Sequence, residues 1–285
     1  MKQEYINLFD EFTHGNMGRR KFMERLTKLT GGTAAAMAVL PLLQNNYAMA
    51  AQVAQDDPRL NAGIYLIRGA KAKLRAYRAF PRDAKKLPGV LVIHENRGLN
   101  PHIMDVARRI SLEEFVTLAP DALSPLGGTP DDEDVARQEI GKLDMELTLN
   151  NYLKSIEDLK NFEHCTGKVG CVGFCWGGSM ANQLAVHSPD LLTAVVYYGG
   201  QPKSEDVPKI KAKLMLHYAG LDERIDKGIP AFKEALDKAK VDYQLFMYDG
   251  VNHAFNNDTN AARYNAEAAK LAWGRTIKFL KENLS

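Results

Sequence analysis

Short apolar runs alternate with amphipathic stretches from about residue 57 to the carboxyl end of the chain. The run at 90–94, Val-Leu-Val-Ile-His, is apolar up to its final histidine, as expected for a strand buried on both faces of a parallel sheet. We predict strands at 64–67, 74–80, 90–94, 115–119, 168–173, 194–198, 213–218 and 243–248. We predict helices at 103–114, 132–144, 148–163, 179–186, 230–240 and 261–280. This alternation predicts an α/β fold, a mostly parallel, doubly wound sheet with helices on both faces.

The first fifty residues have a different pattern, typical of an export signal. Arg19 and Arg20 are adjacent, a weakly apolar stretch follows at 31–43, and Ala48-Met49-Ala50 has the small-x-small form of a cleavage site. The apolar stretch is too short, and too rich in Gly and Ala, for a good membrane span. The alternative is an N-terminal amphipathic helix with solvated arginines.

The pattern of the first fifty residues resembles a twin-arginine signal. We therefore predict a signal peptide at 1–50, cleaved after Ala50, and a mature domain at 51–285 that works in the periplasm. Its implied partner is the twin-arginine export machinery, and we expect no stable membrane anchor.

Composition limits the partners further. The 285 residues, 45% of them hydrophobic, suit one globular domain with an appendage, and the net charge of +2 indicates no polyanionic partner. We find no basic stripe interleaved with aromatic residues, so we expect no nucleic-acid binding. The three cysteines include no CxxC pair, so we expect no metal site, and no cofactor motif is present.

Cys175 is the candidate nucleophile because of the turn predicted around it. The sequence Gly173-Phe-Cys175-Trp-Gly177 directly follows an apolar strand and precedes a helix. Glycines on both sides permit a strained strand-to-helix turn, and the helix N-terminus favours a thiolate. A dinucleotide-binding loop does not fit, because the match lies mid-chain with the wrong spacing. Cys165 and Cys171 are interpreted as small buried hydrophobic residues, the role Cys175 would also have if it were not catalytic.

Two further residues complete a nucleophile–acid–histidine order along the chain. Asp222 follows the strand predicted at 213–218, and His253 follows the strand predicted at 243–248. Both therefore belong at the carboxyl edge of the sheet, where open α/β sheets build their sites. A turn or helix-capping role is the alternative for Asp222.

These residues together resemble the dienelactone hydrolase family over most of 57–285. The likeness lies in Gly-Phe-Cys-Trp-Gly-Gly at 173–178, the Asp222 loop, Gly-Val-Asn-His-Ala-Phe at 250–255 and His-Glu-Asn-Arg-Gly at 94–98. The resemblance implies an α/β-hydrolase fold without a large cap domain. It also implies that Glu95 holds the resting thiol, and that the backbone N–H groups of Asn96 and Trp176 form the oxyanion hole.

One departure from that family concerns the substrate. Its members grip a substrate carboxylate with two arginines, and the matching places here hold Pro125 and Asn257. Losing both cations should change the preferred substrate. Arg97 is a candidate replacement in substrate binding, and an exposed rim charge is the alternative.

The resulting functional prediction is a hydrolase of carboxylic esters or lactones that acts through a Cys-His-Asp triad and a thioacyl-enzyme intermediate. The alternative is a catalytically silent scaffold of the same fold that binds a ligand or a partner. Disulfide exchange between Cys171 and Cys175 is a third hypothesis, disfavoured because their side chains should point apart.

Overall fold

The centre of the protein, described by a computed structural model over residues 1–49 and 51–285, is an eight-stranded sheet. Its spatial order is β1-β2-β4-β3-β5-β6-β7-β8, with the first two pairings antiparallel and the others parallel. The prediction of a mostly parallel sheet is confirmed, and each predicted strand overlaps an observed one. The bounds are β1 Leu60–Arg68, β2 Lys73–Pro81, β3 Leu87–Ile93, β4 Val116–Pro120, β5 Cys165–Phe174, β6 Leu191–Tyr197, β7 Lys213–Ala219 and β8 Tyr243–Tyr248.

Helices cover both faces of this sheet, as the alternation predicts. One apolar core joins the sheet to helices that carry Tyr152, Leu184 and Leu236, and a second joins it to helices that carry Ile103 and Leu280. Each fully buried leucine contributes about 1.5–3 kcal/mol through burial. The helices are α1 Gln3–His14, α2 Arg19–Thr30, α3 Thr33–Leu43, α4 Pro101–Ser111, α5 Glu133–Ile140, α6 Met145–Lys160, α7 Trp176–His187, α8 Glu223–Asp226, α9 Ile229–Ala239 and α10 Ala266–Leu284.

The register between β3 and β5 fixes where the site can form. Residues 90–93 are fully buried, as their apolar run predicts. Ile93 pairs with Gly173 in the parallel ladder, so the carboxyl ends of the two strands lie side by side. The segments that follow them begin with His94 and Cys175, and they therefore start at the same edge of the sheet.

The first 43 residues form three helices with an apolar core of their own. Phe9, Phe12 and Phe22 are almost completely buried, and the rings of Phe12 and Phe22 stack with centroids 4.5 Å apart. The prediction of a signal peptide does not expect a folded unit here. It rests on the paired arginines and the apolar stretch and takes no account of these aromatic residues. Export itself stays a prediction, and Ala50, after which cleavage is predicted, lies outside the described residues.

Polar contacts attach this N-terminal segment, residues 1–43, to the rest of the chain. The buried guanidinium of Arg263 pairs with Asp10 at 2.9 Å, Asn260 donates to the carbonyl of Leu43 at 2.7 Å, and Arg19 pairs with a carboxylate of α5. Within the described residues, no single helix is long and apolar enough to cross a membrane. Helices α2 and α3 would pass such a test only as a pair, and they are bent by 113°.

Candidate active site

Cys175 lies on the strand-to-helix turn that its sequence predicts. It joins β5 to α7 with φ 56° and ψ −114°, a left-handed conformation that is strained for any residue with a side chain. A Cβ on Gly173 would lie 2.0 Å from the carbonyl oxygen of Gly177, and a Cβ on Gly177 would lie 2.4 Å from that of Ile93. Glycine is therefore required at both places, and the thiol stands at the N-terminus of α7.

His253 and Asp222 meet beside this turn. The Nδ1–H of His253 donates to Oδ2 of Asp222 at 2.5 Å, and both side chains are buried. The coordinating atoms of Cys175 and His253 lie within 4.8 Å of each other. Burial works to lower the pKa of His253, but the charges of Asp222 and Cys175 outweigh it and raise that pKa above its usual value. The same pairing outweighs burial at Asp222 and lowers the pKa of its carboxyl. The three side chains thus form a Cys-His-Asp array.

A second histidine, from the N-terminal segment, also reaches the sulfur. Nε2 of His14 lies 3.3 Å from Sγ of Cys175, and its ring centroid lies 4.5 Å from that of His253. Burial lowers the pKa of His14 well below its usual value, with the positive charge on His253 adding to that effect. The sequence reasoning does not single out His14, because the residue falls inside the predicted signal peptide.

A cavity of about 700 Å³ opens onto Cys175. Its lining includes Asn96 and Trp176, which carry the predicted oxyanion N–H groups. Among the described residues, neither N–H makes a hydrogen bond to a turn, a loop or a side chain. The residues at 13–18 form another wall, so the N-terminal segment shapes the cavity.

A comparison with protein families decides the classification of this chain. The model described as "Dienelactone hydrolase family" matches residues 74–284, which span the sheet from β2 onward and include the whole Cys-His-Asp array. The chain belongs to the dienelactone hydrolase family. It is thus a hydrolase of that family, with the α/β-hydrolase fold.

Individual relatives agree with this family assignment. The chain is 34% identical over 246 residues to a protein of Saccharolobus solfataricus named "Putative carboxymethylenebutenolidase", covering 74% of this chain and 94% of that one. A crystal structure of a "Putative Dienelactone Hydrolase" from Klebsiella pneumoniae superposes with a TM-score of 0.72 at 26% identity, covering 78% and 98% of the two chains. An esterase from Pseudomonas putida, at 15% identity and a TM-score of 0.67, shares the fold. The N-terminal segment lies before the residues that the family model matches.

The position that holds an arginine in the family pattern makes a different contact in this chain. Asn257 is fully buried, and its Nδ2 donates to Oε2 of Glu95 at 2.8 Å. Oε1 of Glu95 is buried without a hydrogen-bond partner among the described residues. The hydrogen-bonding contact that the structure gives the Cys175 sulfur comes from His14, so a thiol-holding role for Glu95 stays a prediction.

The charges around the cavity differ from those expected. Arg97, the predicted substrate cation, is buried and faces Glu133 and Asp134, and the structure does not bring it into the cavity of Cys175. Cationic side chains from other elements line that cavity, and none of its described lining residues is acidic. These cations belong to Arg137, Lys142 and Arg224. They lie on α5, in the loop after it and on α8. Their distance along the sequence from Cys175 does not predict that they line its cavity.

Proposed function

We propose that this member of the dienelactone hydrolase family cleaves carboxylic esters or lactones with Cys175 as its nucleophile. The observation that carries the proposal is the convergence of Cys175, His253 and Asp222, from three separate loops, at one carboxyl edge of the sheet. A buried structural cysteine needs neither a left-handed turn nor a histidine–carboxylate pair beside it. A thiol nucleophile needs both a base and a group that orients the base.

The acylation step follows from the positions of these groups. His253, oriented by Asp222, takes the thiol proton, and the sulfur attacks the carbonyl carbon to form a C–S bond. The carbonyl oxygen becomes an oxyanion that the N–H groups of Asn96 and Trp176 would stabilise, each worth about 3 kcal/mol in such a site. The intermediate collapses by breaking the C–O bond, and the leaving alkoxide receives the proton from His253.

Deacylation uses the same groups in reverse order. His253 takes a proton from a water molecule, which attacks the thioester carbonyl. The thiolate of Cys175 leaves, and the carboxylic acid departs through the cavity. In a lactone the alkoxide and the acid belong to one molecule, so a hydroxy acid is the single product.

The lining of the cavity supports a substrate with an anionic group. Arg137, Lys142 and Arg224 surround the space that leads to Cys175, without an acidic residue on its described walls. Their arrangement would compensate for the arginines missing at Pro125 and Asn257. We expect an ester or lactone with a free carboxylate to have a lower KM than its neutral analogue.

Substitution of the nucleophile tests this proposal. Cys175→Ala should lower kcat/KM on an aryl ester by at least about 1,000-fold, because loss of one triad member disables the whole unit. Cys165→Ala is the matched control, since Cys165 is also buried but lies at the far end of β5. Equal turnover by the Cys175→Ala enzyme would refute the proposal and favour a silent, ligand-binding scaffold.

Export by the twin-arginine route is part of the same proposal. Arg19 and Arg20 lie in the first turn of α2, and Arg20 is exposed. Replacing both by lysine should leave the protein in the cytoplasmic fraction of its host, where the parent chain would be periplasmic. A parent chain found unprocessed and only in the cytoplasm would refute export.

A further inference from the structure

Three potential metal ligands from distant parts of the chain converge at the site. The coordinating nitrogens of His14 and His253 and the sulfur of Cys175 all lie within 4.8 Å of one another. His14 comes from α1, Cys175 from the β5–α7 turn and His253 from the loop after β8. The ion-binding geometry therefore depends on the N-terminal segment being docked on the hydrolase domain.

The two imidazole rings are oriented as metal-binding histidines usually are. Nδ1 of His14 lies 3.0 Å from the carbonyl oxygen of Asp10, which can only accept a hydrogen bond, so the ring proton belongs on Nδ1. Nδ1 of His253 donates to the carboxylate of Asp222. Each ring therefore presents Nε2 to the sulfur, and a carbonyl or carboxylate on the far nitrogen is the usual outer support of a metal-bound histidine.

One of these nitrogens faces the Cys175 sulfur without a close hydrogen bond. His253 is only 2% exposed, and its buried Nε2 makes no close hydrogen bond among the described residues. A buried ring nitrogen without a close partner is costly, and an ion at the centre of the three ligands would satisfy it by displacing the Nε2 proton.

We propose that the chain binds one zinc-class divalent ion through His14, Cys175 and His253. Ligand bonds of about 2.0–2.3 Å at tetrahedral angles place neighbouring ligand atoms about 3.3–3.7 Å apart. The 3.3 Å between His14 and Cys175 already has that spacing, and closing the cluster from 4.8 Å requires a shift of about 1 Å. One thiolate and two imidazoles suit Zn²⁺ better than Mg²⁺ or Ca²⁺, which prefer oxygen ligands.

The charges around the cluster are mixed: the cavity wall carries the cations of Arg137, Lys142 and Arg224, whereas the negative charges lie at the ligands themselves. Binding would release the thiol proton, and the thiolate and Asp222 would then supply two negative charges at the site. The buried cation of Arg263 is neutralised by Asp10, which is also the residue whose carbonyl orients His14. Two of the three ligands, His14 and Cys175, line the cavity, so water could reach an ion bound there.

Metal binding has a consequence that rests on the proposed function. An ion on the sulfur lowers its nucleophilicity and occupies Nε2 of His253, the proposed proton acceptor, so the loaded chain should lose most of its esterase activity and regain it with a chelator. The binding site itself does not depend on catalysis. A failure of binding and a failure of hydrolysis are therefore distinguishable.

The test is a metal titration of the full chain. The chain is stripped with a chelator, desalted and titrated with Zn²⁺ against a chromophoric competitor, and we expect one ion per chain. His14→Ala should weaken binding by at least about 100-fold, since loss of an outer support alone costs 10–100-fold. His187→Ala, on an exposed histidine, is the control and should bind as the parent does.

A spectroscopic readout separates ligation from misfolding. Co²⁺ in the same site should give the near-ultraviolet charge-transfer band of a Co–thiolate bond, and Cys175→Ser should abolish that band. His14→Gln keeps a polar side chain in the N-terminal segment, so it should keep the parent's circular dichroism and still lose affinity. Full Zn²⁺ affinity in both His14 variants would reduce the site to Cys175 and His253 and overturn the proposal, as would a Co²⁺ band that survives in Cys175→Ser.

Discussion

A single methyl group added at Gly177 should disrupt both the stability and the activity of this enzyme. The Cβ of Gly177→Ala would lie 2.4 Å from the carbonyl oxygen of Ile93 and 2.5 Å from that of His94. Both obstacles are backbone atoms of β3 and the residue after it, so no side-chain rotation can relieve them. Ordinary contact begins near 3.4 Å, so α7 and β3 must separate by about 1 Å.

That separation has two measurable costs. Overpacking a closely packed site costs about 1–3 kcal/mol of unfolding free energy, and an obstacle made of backbone places this variant at the upper end. The same movement shifts Cys175, which lies two residues earlier, and a misplacement of 1 Å in a catalytic group can lower the rate by about 100-fold. We therefore expect a loss of about 3 kcal/mol and a fall of about 100-fold in kcat/KM.

Urea unfolding and ester hydrolysis by the folded protein measure these costs. Gly274→Ala is the matched control, because Gly274 lies exposed on α10 with nothing within 4 Å of an added Cβ. That control should gain about 0.5–1 kcal/mol from reduced chain entropy and keep its activity. A Gly177→Ala variant with parental unfolding and parental kinetics would show that the turn is not as tightly packed as described.

Three other substitutions test the site. Asp222→Asn should lower kcat by about 10,000-fold, as loss of the orienting carboxylate does in triads of this type. Because the folded-state pKa of His253 is raised, its protonation contributes to the free energy of unfolding. That contribution is complete below the unfolded pKa of about 6.5 and is lost as pH rises through the folded value. Urea unfolding of Asp222→Asn should show this loss of stability at a lower pH. Asn257→Ala should cost about 1–3 kcal/mol in the same assay, because it leaves Glu95 buried without its hydrogen bond, whereas Asn161→Ala, on an exposed helix end, should cost little. Asp10→Ala should leave the buried charge of Arg263 unpaired and weaken the packing of α1 on the domain. Cys175 should then react faster with iodoacetamide. An unchanged labelling rate would mean that the N-terminal segment does not limit access to the sulfur.

Local patterns were enough to predict the sheet and most of the array. The apolar run at 90–94 marks a strand buried on both faces, and the glycines around Cys175 mark a turn that only they permit. Asp222 and His253 each follow a strand directly, so the parallel topology alone brings them to the same edge. Helix ends are less well predicted: α10 begins at Ala266 rather than at 261, because the side chain of Asn265 caps it by accepting from the N–H of Ala268.

The charges around the cavity could not be predicted in this way. Arg97 follows β3 in the same segment as Glu95 and Asn96, which makes it a reasonable candidate for the site. Its side chain turns instead to the carboxylates of Glu133 and Asp134, which begin a helix more than thirty residues later. Which cation faces a substrate depends on such long-range pairings, and no local spacing encodes them.

The N-terminal segment has the sequence pattern of an export signal and the structure of a folded unit. An export signal and a folded three-helix unit are compatible in the twin-arginine route, which carries proteins already folded, because the segment can pack on its own domain before export. While it is docked, His14 contacts Cys175 and the segment forms one wall of the cavity. Cleavage after Ala50 would remove that histidine together with Asp10 and leave Arg263 without its partner. The precursor and the mature enzyme would then differ in the groups that face the sulfur, and the mature enzyme would lack the His14 ligand of the proposed metal site.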